Sequence, residues 1–332
     1  MTSSRLLRLA WLAGWLALAC LPLVASDYYT GLALKIVIAG LFALSLQLLV
    51  GGAGLISLGH AAFFGVGAYA SVLLAPEAGP GSFLLLALGA MGCAMLLALV
   101  TGALALRTQG IYFIMITLAF AQMAYYVFHD TDLGGGSDGA YLYFRPEVRL
   151  GESFALSLDS DHAFYLCALL CLAGAWALLS RLMRSRFGAT LTGLRINEQR
   201  MRSLGYHSLP YRLTAYVMAA ALAGLSGMLY ALKDGYVNPQ LLSWEQSGIV
   251  LLMVILGGQQ RLWGAVAGAL TFTLLEELFQ SHALFGDLAT HWHLSLGVAI
   301  IVLVGLLPQG LAGLLTTSRR KRAAAALPAA SP

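Results

Sequence analysis

Apolar stretches long enough to cross a bilayer follow one another almost without pause along this chain. A bilayer core is about 30 Å thick, so each helical crossing needs roughly 20 predominantly apolar residues. Stretches of that kind lie at about 9–25, 32–50, 59–75, 83–106, 111–129, 163–182, 212–231, 246–260, 263–280 and 292–308. The pattern predicts an all-α, polytopic transmembrane bundle of about ten spans, a single transmembrane domain over residues 1–318. Residues 319–332 form a basic tail, expected to be cytoplasmic and disordered.

Two interruptions stand out. Residues 51–69 carry six glycines, so a helix there should be broken or closely packed. Irregular backbone at membrane depth is tolerated only where protein or a water-filled cavity surrounds it. Gly59, His60, Phe63, Gly65 and Tyr69 are therefore expected to line a translocation pathway, with tight helix packing as the alternative. For His60 the alternative is a hydrogen-bonded packing role. The second interruption runs over 257–264, where Gly257 and Gly258 separate a short apolar run from the next. Gly264 and Gly268 have the GxxxG spacing that favours close helix contact, a spacing common by chance among 37 glycines.

Charge sets the orientation, because Lys and Arg in short loops stay on the cytoplasmic side. The loop over 183–211 and its flanks carry Arg181, Arg184, Arg186, Arg195, Arg200, Arg202 and Arg212 against one acid, Glu198, and should be cytoplasmic. The loop over 130–162 carries Asp130, Asp132, Asp138, Glu147, Glu152, Asp159 and Asp161 against Arg145 and Arg149, and should be periplasmic. Ten crossings then place both termini, Arg107 and Arg261 inside. The segment from Leu9 to Ala25, behind Arg5 and Arg8, is expected to be a retained anchor rather than a cleaved signal peptide.

Composition narrows the chemistry. The chain is 59% hydrophobic and 10% charged, and its net charge of +4 sits in loops as a topology signal, so nucleic acid is not an expected partner. Cys20, Cys93, Cys167 and Cys171 form no zinc-ligand spacing and are expected to pack as small hydrophobes. His291 and His293 flank Trp292 at an interface-like position. His60, Glu276 and Glu277 are the groups that an ion-coupled transporter would use, although the position of the two carboxylates near a span end favours a hydrated edge. No convergent catalytic set appears, so an enzyme is not expected, and no metal or cofactor is assigned to the chain. Lys35, Lys233 and Lys321 all lack the glycine that a phosphate-binding loop requires, so ATP is not hydrolysed by this chain alone.

The most informative soluble stretch runs from Phe187 to Tyr206. It suits a short polar helix ending at Gly205, with Ile196 and Leu204 as a thin apolar stripe of the kind that lies on another protein. Gly188, Arg195, Glu198, Leu204, Gly205 and Arg212 together resemble the coupling segment of the branched-chain amino acid ABC-importer permease family. So does 54–69, which resembles that family's first glycine-rich signature. Further likenesses are Gly110–Phe113 with Thr117–Phe120, Gly134–Gly139, Ala223–Gly227, and Gly257–Gly258 with Leu262–Gly264, covering roughly residues 40 to 310. Asn197, where the family commonly has an acid, is a departure, as is Gln259-Gln260-Arg261 after the glycine pair.

The resemblance implies an inner-membrane permease subunit of an ATP-driven importer for leucine-, isoleucine- or valine-type amino acids. Its implied partners are a second homologous permease, two cytoplasmic ATPase subunits that bind ATP and Mg, and a periplasmic substrate-binding protein. Gly188, Arg195, Glu198, Leu204 and Gly205 become the expected ATPase-coupling residues. A permease for urea or another small solute shares the architecture, and an ion-coupled secondary transporter is the rival class.

Overall fold

Asp27 opens a long helix, α1 (Asp27–Gln47), that carries on into a single π-helical turn over Leu48–Ala53. The computed structural model describes residues 26–76, 79–149 and 155–313, together with Leu18, Cys20 and Pro22. After an irregular stretch come α2 (His60–Leu74), α3 (Phe83–Ala105), α4 (Ile111–Asp130) and α5 (Asp161–Arg184). Two short helices follow, α6 (Arg186–Ile196) and α7 (Glu198–Ser203). The chain then enters α8 (Ser208–Asp234), α9 (Trp244–Gly257), α10 (Leu262–Gln280), α11 (His282–Phe285) and α12 (Trp292–Leu306).

Among the described residues, seven helical segments are long and apolar enough to cross a membrane. The chain is thus a multi-pass membrane protein. The stretches near 59–75 and 246–260 form helices of only 15 and 14 residues, below a full crossing. The first predicted span, 9–25, and the tail over 319–332 lie outside the described residues, Leu18, Cys20 and Pro22 apart.

The all-α expectation needs one amendment. The loop over 130–162 is too long to run without backbone partners, and it pairs its edges in short strands. Strand β1 (Ala140–Tyr141) lies antiparallel to β4 (Tyr236–Val237), just past α8, and β2 (Glu147–Arg149) pairs with β3 (Ala155–Ser157). Arg145 ties the loop to the start of α5 through Asp161 at 2.7 Å and lies over the Phe164 ring. This end of the bundle is opposite the one that carries α6 and α7.

Burial separates a centre from a periphery. The α1 and α8 segments have 78% of their most apolar window buried, against 39% or less for the other five long segments. Small residues are what bring helices close around α8. A Cβ on Gly67 would strike the Gly224 backbone, one on Gly227 would strike the Phe64 carbonyl, and one on Gly224 would lie 2.7 Å from the Ala90 carbonyl. On the other side, Ser226 Oγ donates to the Ile38 carbonyl at 2.8 Å and pins α8 to α1. In the α9–α10 hairpin, Gly264 and Gly268 face the carbonyls of Gly257 and Met253, and Gly258 makes the reversal at φ +102°.

Replacing Gly67 by Ala is expected to wedge α2 from α8 and cost about 1–3 kcal/mol, the usual range for overpacking. Thermal denaturation in detergent should show a lower midpoint for Gly67→Ala. Gly31→Ala, with nothing within 4 Å of the new methyl, should leave it unchanged or slightly raised.

Candidate functional site

The chain leaves helical geometry after Ala53 and regains it at His60, inside the bundle. Gly54 takes the left-handed conformation, φ +70°, that ends the π turn, and glycine alone adopts it without strain. Several of the freed N–H groups are bonded by side chains, two of them from distant elements. Thr117 Oγ1 of α4 accepts from the Leu58 N–H at 3.3 Å, Ser57 Oγ accepts from the Gly59 N–H at 3.2 Å, and Ser247 Oγ of α9 accepts from the Ala61 N–H at 2.9 Å. Gln47 Nε2 donates to the Gln259 carbonyl at 2.7 Å, joining the end of α1 to the α9–α10 turn.

Gly59, His60, Phe63, Gly65 and Tyr69 are all buried here. A Cβ on Gly59 would lie 2.5 Å from the Thr117 carbonyl, and one on Gly65 would strike Leu242. Phe63 meets Tyr216 edge-on at 5.3 Å, and Tyr69 stacks on Phe128 at 4.3 Å. His60 stacks on Phe42 at 5.7 Å, and its Nε2 lies 2.8 Å from Ser45 Oγ. Ser45 spends its own hydrogen on the Phe42 carbonyl, at 2.6 Å, so His60 Nε2 must be the donor. That assignment leaves Nδ1 an acceptor, buried and unbonded among the described residues.

The polar stretch after α5 is two helices rather than one. Asn197 adopts an extended conformation and its side chain accepts from the Arg200 N–H at 2.9 Å, so it ends α6 and caps α7. Gly205, φ +87°, then terminates α7. Gly188 sits so close to the end of α5 that a Cβ would lie 2.5 Å from Met183 Cα, which lets α6 fold back beneath the bundle.

Arg195 and Glu198 both have partners within the chain. Arg195 Nη1 donates to the Gly51 carbonyl in the π turn, and its stem lies over Gly54. The Glu198 carboxylate accepts from Arg202 at 2.7 Å, Arg212 at 2.8 Å and Gln109 Nε2 at 3.0 Å. It thereby ties α7 to α8 and to the α3–α4 turn. Partial burial alone would raise this carboxyl, but hydrogen bonds from Ser208 and Arg212 and the charges of Arg212 and Arg202 outweigh it and hold the group below its ordinary range. Among the polar residues the loop exposes, two large apolar side chains are also uncovered: Ile196 is 78% exposed and Leu204 67%.

The structure therefore keeps the two predicted residue sets apart and joins them through Gly51. Sequence reading missed Ser45, Gln47, Thr117 and Ser247, each a polar residue inside an apolar stretch, which was the available signal. Glu276 pairs with Lys35 at 3.2 Å, and Glu277 accepts from the Tyr28 hydroxyl. His293 stacks on Trp292, and His291 contacts Thr290 at 2.9 Å. Among the described residues, no three His, Cys, Asp or Glu side chains are grouped to hold a metal ion.

Glu198 gives a pH prediction. Its pKa is lower folded than unfolded, so its contribution is complete above the ordinary carboxylate range and is lost as pH falls through that range toward the depressed value. Amide exchange over 197–212, corrected for intrinsic rate, should lose protection on acidification in the native chain. In Glu198→Gln protection should be low at both pH values.

Comparison with known proteins places the chain in a family. The chain is 29% identical over 309 residues to the high-affinity branched-chain amino acid transport system permease protein LivM of Escherichia coli K12, covering 87% of this chain and 71% of that one. The LivM protein of Salmonella typhimurium LT2 matches with the same identity and coverage. No solved structure matches the chain significantly. Residues 28–307 match the family described as "Branched-chain amino acid transport system / permease component", and the chain belongs to that family of permeases.

Proposed function

We propose that this chain is one permease subunit of an ATP-driven ABC importer in a bacterial inner membrane, moving branched-chain amino acids inward. It works with a second homologous permease, two cytoplasmic ATPase subunits and a periplasmic binding protein. The chain performs no chemistry itself; ATP and Mg belong to the ATPase partners. The permease family and the names of the LivM relatives support the substrate class.

The observation that carries the mechanism is the Arg195 bond to the Gly51 carbonyl. On this reading an ATPase seats on exposed Ile196 and Leu204, and its closure displaces α6 and α7. Arg195 passes that displacement to the π turn, and the irregular 54–59 segment passes it to His60 and α2. Glu198 keeps the loop moving as one piece with α8 through Arg212. Both termini and the α6–α7 loop are cytoplasmic in this arrangement, and the 130–162 loop faces the binding protein.

The test is leucine uptake into proteoliposomes holding the assembled importer. The double variant Arg195→Ala/Glu198→Ala should insert normally and retain ATP hydrolysis while uptake falls by about tenfold, within the usual span of coupling energies. Unchanged uptake would sink the assignment of these two residues. Uptake driven by an ion gradient without ATP would replace the importer with the secondary-transporter reading.

A further inference from the structure

A cavity of about 580 Å³ opens in the half of the bundle away from α6 and α7, between α1, α2, α8, α9, α10 and α12. None of the pathway residues expected from sequence lines it. Its lining is mainly apolar, with Ile38, Phe42, Phe64, Leu252, Phe272 and Ile300, and adds the polar Gln246 and Thr273. Its rim is charged. Lys35 pairs with Glu276 at 3.2 Å on one side, and Lys233 pairs with Asp234 at 2.7 Å at the end of α8.

From this cavity we infer a binding site for a zwitterion carrying an aliphatic tail: an amino acid with a branched apolar side chain. Lys35 with Glu276 and Lys233 with Asp234 set two cations beside two anions, so the Lys, Asp and Glu side chains of the lining carry no excess of either sign. A head bearing an ammonium beside a carboxylate can exchange partners with both pairs at once, each new contact charge-assisted. The tail then meets the apolar side chains that make up most of the lining. The volume falls inside the range of small-molecule sites. A fully polar solute such as urea would trade water for hydrocarbon in the same space, which is unfavourable. The amino-acid identity rests on the importer reading; the zwitterion chemistry rests on the cavity.

The lining gives the site a connection. Phe42 and Phe64 touch at 4.5 Å between ring centres, and Phe42 stacks on His60, the first residue after the irregular segment. A tail seated on Phe42 presses on the ring that packs the helix break.

The probe is a leucine analogue with a diazirine in its side chain, photolysed with the full chain and its co-purified partners in nanodiscs, adducts being mapped by mass spectrometry. Adducts are expected on Leu252, Phe272 and Ile300, displaced by excess L-leucine and not by urea. In Lys35→Met/Glu276→Gln, which keeps side-chain size, cavity labelling should fall by about tenfold, as loss of charge-assisted contacts gives. Leu252→Trp, which fills the space at an accessible wall, should abolish it in protein of unchanged thermal midpoint. Labelling that leucine does not displace, that persists in both variants, or that only a diazirine phospholipid produces would overturn the site. ATP-driven uptake without cavity labelling would refute the site and leave the importer standing; cavity labelling without ATP-driven uptake would do the reverse.

Discussion

A peptide chain that leaves helical geometry inside a membrane protein cannot leave its N–H and C=O groups to the lipid, and the rest of this structure is arranged around that constraint. Between Ala53 and Ala61 the backbone's side-chain partners come from Thr117 on α4, Ser247 on α9 and Ser57 within the segment itself. Arg195 on α6 takes the Gly51 carbonyl from below. The irregular segment is consequently a joint, since the bonds from Thr117 and Ser247 also fasten α4 and α9 to it and to the start of α2. A helix through the same residues would have needed none of these partners and would have linked nothing.

Close packing decides what can move at that joint. Gly67, Gly224 and Gly227 bring α2 and α8 into backbone contact, so these two helices have little freedom to slide independently. Glu198 fixes α7 to α8 through Arg212, which attaches the loop to the same central helix. Arg195 contacts a carbonyl rather than a helical side chain, and a hydrogen bond to one carbonyl breaks and re-forms at a cost of order 1–3 kcal/mol for a charged donor. The loop is thus held firmly along α8 and more lightly at the π turn, the distribution a transmitting contact requires.

The parts of this that the sequence disclosed are those governed by local rules. Long apolar runs announce helices, and arginines crowded over 183–211 mark a loop. Gly205 and Gly188 sit where a turn needs a left-handed residue or a close approach. The two helices at 186–203 were read as one because an asparagine at 197 is tolerable in a helix; only its extended conformation makes it a cap. The roles of Arg195 and Glu198 were harder. Their residue types suit contact with a partner protein, yet their bonds run to Gly51, Gln109 and Arg212, residues that fold topology brings near. The cavity was invisible for the same reason. Lys35, Lys233 and Glu276 are far apart in sequence, and no periodicity within one helix reports a space enclosed by six.

One element belongs to both ends of the proposed mechanism. Lys35, Ile38 and Phe42 of α1 line the cavity, while Gln47 and Gly51, farther along the same segment, hold the α9–α10 turn and Arg195. From Phe42 to Gly51 is about 13 Å at a helical rise of about 1.5 Å per residue. A ligand that shifts α1 at Phe42 and a partner that shifts it at Gly51 act on a single rod, so each must alter the other's affinity by the same factor. The π turn begins between these two points of purchase, where an extra residue per turn lets the helix rewind without losing its hydrogen bonds. On the proposed mechanism, that position makes the turn, more than any charged side chain, the place where occupancy of the cavity and displacement of the loop would be exchanged.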